Sequence, residues 1–136
     1  MKFDFIEIGG GSAGYAAART AVELGANVAI VDKGPLGGLC ILRGCMPTKA
    51  MLRSSDIMSL MRRAREFGLG ASNLKANLAA INDRTNALVK EFADYRIEQL
   101  KSPRFTLLRG RARFESPHKI RVGSKTIEAR SFLIST

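Results

Sequence analysis

Apolar and polar residues along the 136-residue chain fall into blocks of two different periods. Phe3-Asp4-Phe5-Ile6-Glu7-Ile8 is a short, mostly apolar run that predicts a strand. Ala16 to Leu24 is alanine-rich and predicts a helix, with Gly25 as its C-terminal stop. Asn27 to Val31 predicts a second strand, ending at Asp32. Between Met46 or Pro47 and about Phe67, Met51, Leu52, Ile57, Met58, Leu60 and Met61 alternate with charged residues at helical spacing. This predicts a long helix, closed by Gly68 and Gly70, with the apolar stripe in the core. Asn73 to about Lys101 predicts a second long amphipathic helix, stopped by Ser102-Pro103. Its apolar face runs through Leu74, Leu78, Ile81, Leu88, Phe92, Tyr95 and Leu100.

The order of these blocks predicts an α/β fold. A β-α-β unit occupies residues 3–32, and two consecutive helices over 47–101 interrupt the strand–helix alternation. Such an excursion from the sheet leaves a helix face to pack on a partner subunit. Short strand patterns at Phe105–Leu108, Ala112–Phe114, Lys119–Val122 and Thr126–Glu128, separated by glycine and Ser-Pro breaks, predict a small antiparallel ribbon over 104–128. Phe132–Ser135 is one more apolar strand, and the sequence stops beside it at Thr136, the pattern expected of a piece of a larger protein.

Composition narrows the class. The chain is 46% apolar and 25% charged, as in a water-soluble domain. It has no apolar run near the ~20 residues of a membrane span. Asp4 and Glu7 interrupt the N-terminal apolar run, which excludes a signal peptide there. The expectation is a cytoplasmic protein without membrane contact. The net charge of +10 is concentrated after residue 50. That raises nucleic acid as a partner. The basic residues are scattered, however, with few aromatics between them, and Arg62, Arg63 and Arg65 read as the wet face of a helix. An acidic neighbouring domain or subunit is the better use of the charge.

The candidate chemistry lies in two motifs. Gly9-Gly10-Gly11-Ser12-Ala13-Gly14 joins the first strand to the first helix, and Asp32 ends the second strand. In that setting Gly-x-Gly-x-x-Gly reads as a dinucleotide-binding turn. Gly9 turns the chain, Gly11 admits a pyrophosphate, and Gly14 lets helix and strand pack closely. The helix N-terminus offers N–H groups to phosphate, and Asp32 can accept from a ribose hydroxyl. The motif does not by itself separate FAD from NAD. The second motif, Gly37 to Lys49, holds the chain's two cysteines, Cys40 and Cys45. Residues five apart in an ideal helix are about 8–9 Å apart at Cα, whereas a disulfide needs roughly 4.4–6.8 Å. A bridge here requires a distorted turn, for which Gly44 supplies freedom and Pro47 a disruption of regular helix. Two inert thiols in a packed loop are the alternative. Two thiols and one distant histidine, His118, do not make a metal site.

Together these motifs resemble the N-terminal flavin-domain portion of the pyridine nucleotide–disulfide oxidoreductases. That family's redox segment reads Gly-Gly-Thr-Cys-x-Asn-x-Gly-Cys-x-Pro-Ser-Lys; here it is Gly37-Gly38-Leu39-Cys40-Ile41-Leu42-Arg43-Gly44-Cys45-Met46-Pro47-Thr48-Lys49. Gly110-Arg111-Ala112-Arg113-Phe114 resembles the family's Gly-x-Ala-x-Phe strand. Phe132–Thr136 resembles the strand before its Ala-Thr-Gly turn, with Ser135 where alanine is usual.

The resemblance implies a Rossmann-like FAD-binding domain and an FAD-dependent NAD(P)H:disulfide oxidoreductase, with NAD(P)H bound by a domain outside this chain. Cys40 is implied as the interchange thiol, Cys45 as its flavin-side partner in a redox-active disulfide, and Lys49 as a cation near the flavin. Gly9, Gly11, Ser12, Ala13 and Gly14 are implied at the pyrophosphate and Asp32 at the adenosine ribose. Lys33, Gly38, Leu39, Gly44, Arg111, Ala112 and Thr136 complete the implied cofactor contacts. A dithiol or disulfide substrate and a homodimer of the full-length enzyme follow from the same resemblance. Arg43 is expected to be solvated and His118 to be a surface or turn residue. Leu39 and Leu42 replace the family's Thr and Asn, which is expected to leave a polar partner bare or wet. The alternatives are a dinucleotide-binding module whose cysteines are incidental and a basic nucleic-acid-binding protein.

Overall fold

A computed structural model describes residues 1–136 as one six-stranded sheet with helices. In chain order the elements are β1 (Lys2–Ile8), α1 (Ser12–Glu23), β2 (Val28–Asp32), α2 (Gly38–Leu42), α3 (Cys45–Arg62) and α4 (Leu78–Leu100), then β3 (Thr106–Arg109), β4 (Ala112–Ser116), β5 (Lys119–Val122) and β6 (Lys125–Ile134). A short 3-10 turn, Ala64–Phe67, follows α3. The strand order is β3-β2-β1-β6-β5-β4. β3, β2, β1 and β6 run parallel; β4 and β5 pair antiparallel at the far side of β6. This is a mixed α/β, Rossmann-like fold. None of its helices is long and apolar enough to cross a membrane.

Alternation along the central strands sorts their side chains into two cores. Ile6 and Ile8 of β1 join Ala29, Val31 and Leu108 with Ile120, Val122, Ile127 and Ala129 of the β5–β6 region. On the opposite face Val28 and Ile30 pack with Ala18 of α1, Leu36, Leu100 and Phe105. The unbroken burial of Val28–Val31 is what a parallel strand covered on both faces requires.

Three expectations are corrected. Residues 105–108 are not part of the ribbon: β3 pairs parallel with β2, Ile30 opposite Leu107, as an edge of the main sheet. The strands expected at 126–128 and 132–135 are one ten-residue strand, β6. Its first half pairs with β5 and the stretch from Glu128 onward pairs with β1. Arg130 and Ser131 are exposed, and their polarity hid the continuity. Finally, the stripe on α3 is not core. Met51, Leu52, Ile57, Leu60 and Met61 are 42–50% exposed, and only Ala50 of that helix is buried. On α4 the expected face is likewise open at Leu78, Phe92 and Tyr95. The two helices meet through small residues, with the Arg84 guanidinium donating to the Ala50 carbonyl at 3.1 Å.

Both helix starts differ slightly from expectation. α4 begins at Leu78 because the Asn77 side chain accepts from the Ala80 N–H at 3.1 Å, an N-cap. Pro47 does not disrupt α3; it lies in the first turn, where its missing N–H has no helical partner to lose.

Candidate functional site

The site forms where β1, α1, α2 and the ends of β2 and β6 converge. β1 is a parallel strand flanked by two others, so the chain leaves it at the sheet's C-terminal edge and turns directly into α1. Gly14 is buried in the first turn of that helix. A Cβ there would lie 2.8 Å from both Glu7 Oε1 and Ser135 Oγ and would overlap the Gly9 carbonyl. Glycine is therefore required for α1 to lie this close to the strand. The N-cap of α1 is Gly11, with no side chain capping it and no acidic residue in the first turn. Its leading N–H groups, at exposed Ser12 and Ala13, are left for an outside acceptor.

Asp32 ends β2 beside this turn. Its Oδ2 accepts from the Gly10 N–H at 2.7 Å and its Oδ1 from the Gly34 N–H. The carboxylate is only half-buried and retains acceptor capacity for a hydroxyl. The Gly110 N–H donates to the Asp32 carbonyl at 3.1 Å, which brings Arg111 and Ala112 to the same edge. Thr136 also reaches the turn: a Cβ on Gly9 would lie 3.2 Å from its backbone nitrogen.

The cysteine segment lies directly on the glycine turn. Gly38 has φ +78°, and a Cβ on it would come within 2.7 Å of Gly11 Cα. Only a residue without a side chain permits this approach. Cys40 sits within α2, half-buried; Cys45 is the first residue of α3 and is exposed. Between them Arg43 and Gly44 leave helical geometry, Gly44 at φ −119° and ψ −106°. A Cβ on Gly44 would stand 3.3 Å from Cys40 Cα, so the break folds the second helix start back against the first cysteine. Both cysteines are free thiols in the structure; the expected bridge is not formed. The Cys40 thiol is pushed up from its ordinary pKa, first by the neighbouring Cys45 and then by burial, with the Lys49 charge opposing. Lys49, one turn into α3, is exposed.

A sequence model of the family described as "Pyridine nucleotide-disulphide oxidoreductase" matches residues 3–136. The chain belongs to that family. It is 37% identical to a mercuric reductase of Staphylococcus aureus over 135 residues, covering 98% of this chain and 25% of that protein. It is 37% identical over 134 residues to a dihydrolipoyl dehydrogenase of Thermus scotoductus, 98% of this chain and 29% of the relative. A dihydrolipoyl dehydrogenase of Chlamydia trachomatis is 31% identical over 137 residues, 98% and 30% respectively. The chain thus spans 25–30% of the length of these relatives.

Against the disulphide oxidoreductase pattern, the two leucine replacements behave differently from each other. Leu39 is 75% exposed beside Cys40. Leu42 folds back on Gly37, its Cγ 3.3 Å from where a Cβ would stand. The buried side-chain atoms without hydrogen bonds are Glu7 Oε2, Arg96 Nε and Nη1, and Gln99 Oε1, all outside the cysteine segment. Arg43 is exposed, and so is His118, in the turn between β4 and β5.

Sequence reasoning passed over two features of the site. The Arg109 guanidinium packs on Gly34, next to Asp32; a lone arginine at a strand end carries no signal of that. Glu7 and Ser135 meet beneath the glycine turn. A carboxylate between Ile6 and Ile8, at the buried end of the strand, was the available sign.

Proposed function

We propose that this chain is the flavin-binding portion of an FAD-dependent NAD(P)H:disulfide oxidoreductase acting through Cys40 and Cys45. The observation that carries the reading is the contact of Gly38 with Gly11, which packs the cysteine segment on the dinucleotide turn. A Cβ on Gly11 would meet nothing within 4 Å, so the turn's open side has room for a pyrophosphate. The N–H groups of Ser12 and Ala13 would hold it, with the α1 dipole favouring its charge. Asp32 would accept from the ribose, and Arg111 and Ala112 would meet the adenine through backbone atoms. Lys33, Gly38, Leu39, Gly44 and Thr136 would line the remainder, and Lys49 would supply a cation beside the ring. Bound FAD would supply the relay of an electron pair from NAD(P)H to the cysteine pair.

The roles of the two cysteines follow the family resemblance, and their closeness at the Gly44 break supports an exchange between them. In the dithiol form, Cys40 loses its proton and attacks one sulfur of a substrate disulfide, forming a mixed disulfide. The departing thiolate takes up a proton. Cys45, as thiolate, then attacks Cys40 Sγ, closing the Cys40–Cys45 disulfide and releasing the second substrate thiol. Two electrons and two protons pass to the substrate, and NAD(P)H together with one proton from solvent would restore the dithiol. Run in reverse, the same steps oxidise a dithiol. Another thiol-binding two-electron acceptor fits the same pair. The complete enzyme is proposed to be a cytoplasmic homodimer.

Full-length protein carrying Cys45→Ser tests this. NAD(P)H-linked dithiol/disulfide turnover is expected to vanish, and turnover that survives overturns the mechanism. The free thiols also suit a binding module with incidental cysteines. Thiol counting on the oxidised full-length protein separates the two: two further thiols released by reductant are expected here, and none for the module.

A further inference from the structure

Glu7 is the second-to-last residue of β1 and is fully buried, an unusual place for a carboxyl group. Its Oε1 meets the Ser135 hydroxyl, and its Oε2 has no partner. Ser135 Oγ is also 3.3 Å from the Gly9 carbonyl oxygen. One hydroxyl proton therefore faces two acceptors. If Glu7 is ionised, it takes that proton, the Gly9 carbonyl loses it, and a buried anion is left with one hydrogen bond. If Glu7 carries a proton, both contacts are satisfied in series.

No countercharge is at hand. Across the sheet Glu7 is flanked by Ile30 of β2 and Leu133 of β6, and α1 presents Gly14 to it. Asp32 is engaged with Gly10 and Gly34, and Arg96 of α4 lies over the Tyr15 ring at 4.3 Å, its buried Nε and Nη1 making no hydrogen bond to Glu7 or to any other group. Burial pushes the Glu7 carboxyl up from its ordinary range, against the opposing effect of the Ser135 hydroxyl.

We propose that Glu7 and Ser135 are positioning residues for the anion seat at the start of α1. The Glu7 O–H donates to Ser135 Oγ, and the Ser135 O–H donates to the Gly9 carbonyl. The last residues of the sheet are thereby tied to the glycine turn by an uncharged chain. The backbone supports the same tie, with the Ser135 N–H donating to the Ile8 carbonyl and the Gly9 N–H to the Val31 carbonyl, each at 2.9 Å. The inference rests on the flavin reading for the identity of the anion. Ionising Glu7 breaks the chain and sets a negative charge under the turn that would receive pyrophosphate, so anion affinity falls as pH rises.

The test uses the full-length protein and has two arms. The first needs no FAD: infrared difference spectra of apoprotein, wild type minus Glu7→Gln, near neutral pH. A protonated-carboxyl C=O band is expected; a carboxylate signature in its place overturns the proposal. The second measures FAD affinity by calorimetry from about pH 6 to about pH 9, where each unit by which the bound anion shifts the Glu7 titration changes affinity about tenfold. Wild-type affinity is expected to fall across this range, while Glu7→Gln keeps the low-pH affinity and loses the slope. Equal slopes in the two proteins overturn the proposal. Ser135→Ala is expected to weaken binding already at the low-pH end. Should Glu7→Gln fail to fold, Glu7→Met provides the uncharged reference. A protein that shows the band but takes up no FAD at any pH overturns the flavin reading and the claim on affinity, while the hydrogen-bond chain stands.

Discussion

The two halves of the molecule are held together in opposite ways. The sheet with α1 is closed: its central strands carry a core on each face and its turns admit glycine alone at Gly14 and Gly38. The α3–α4 hairpin is open. Only Ala50, Thr85 and Ala93 are buried along it before Leu100 docks on the sheet core, and Met51, Leu52, Leu60, Phe92 and Tyr95 face outward. The closed half contains the proposed cofactor seat, where a displacement of an ångström would misplace the backbone N–H groups. The open half fixes only the first turn of α3, where Cys45 begins the helix. The difference teaches that precision here is local. The sheet dictates the turn, and the hairpin carries an apolar face that nothing in these 136 residues covers.

The contrast can be broken most sharply at Gly14. In the full-length protein Gly14→Val is expected to cost about 3 kcal/mol or more, or to prevent folding, because its side chain overlaps the Gly9 carbonyl and the Glu7–Ser135 contact. Urea unfolding measures it, and a loss well under this would show that α1 can retreat from the strand. Next in size, Ile30→Ala, at a site with no exposed surface, is expected to cost about 2–5 kcal/mol. Leu60→Ala in the 136-residue chain, where that side chain is 48% exposed, is expected to cost no more than about 0.5 kcal/mol. Equal costs would erase the distinction between the halves. Removing the cap with Asn77→Ala is expected to lower stability by about 1 kcal/mol, confined to the start of α4 and visible as faster amide exchange there.

The smallest effects separate, by pH, the exposed ribbon of the closed half from its buried centre. On the ribbon, Lys119 holds Glu128 below the usual carboxylate range, and Arg121 does the same for Glu115. Both pairs are solvent-facing. Their contribution is present above the ordinary carboxyl pKa and is lost as pH falls through the depressed value. Glu7 has the opposite sign: its contribution is present below the ordinary value and is lost as pH rises through the raised one. Melting temperature against pH is therefore expected to lose its acid-side slope in part in Glu115→Gln, with the alkaline side unchanged. An altered alkaline side in that variant would contradict the assignment.

What was legible in the sequence follows the same divide. The β1–turn–α1–β2 unit could be read because its signals are local: a strand pattern, glycines at fixed spacing, and an acid at the next strand end. A distorted turn at Gly44 was expected as the condition for a bridge, since regular helix keeps residues five apart too far from each other; the break is present and the bridge is not. The α3 stripe misled because helical periodicity states that a face is apolar and not what covers it. β6 misled because its partners change midway, from β5 to β1, and Arg130 and Ser131 sit at the exposed crossing. The Glu7–Ser135 contact joins residues 128 positions apart, and no window along the chain contains both. Arg109 and the bonding of Asp32 to Gly10 and Gly34 likewise exist only once the loops have folded onto one edge.

β6 also governs the order of events at birth. Because residues 125–134 fill the slot between β1 and β5, β1, made before the other strands described, has a vacant flank until β6 has left the ribosome. Closure across so long a loop is entropically slow. A nascent chain halted before Lys125 would present β1 as a bare apolar ribbon, open to pairing with a stray strand or to capture by a chaperone.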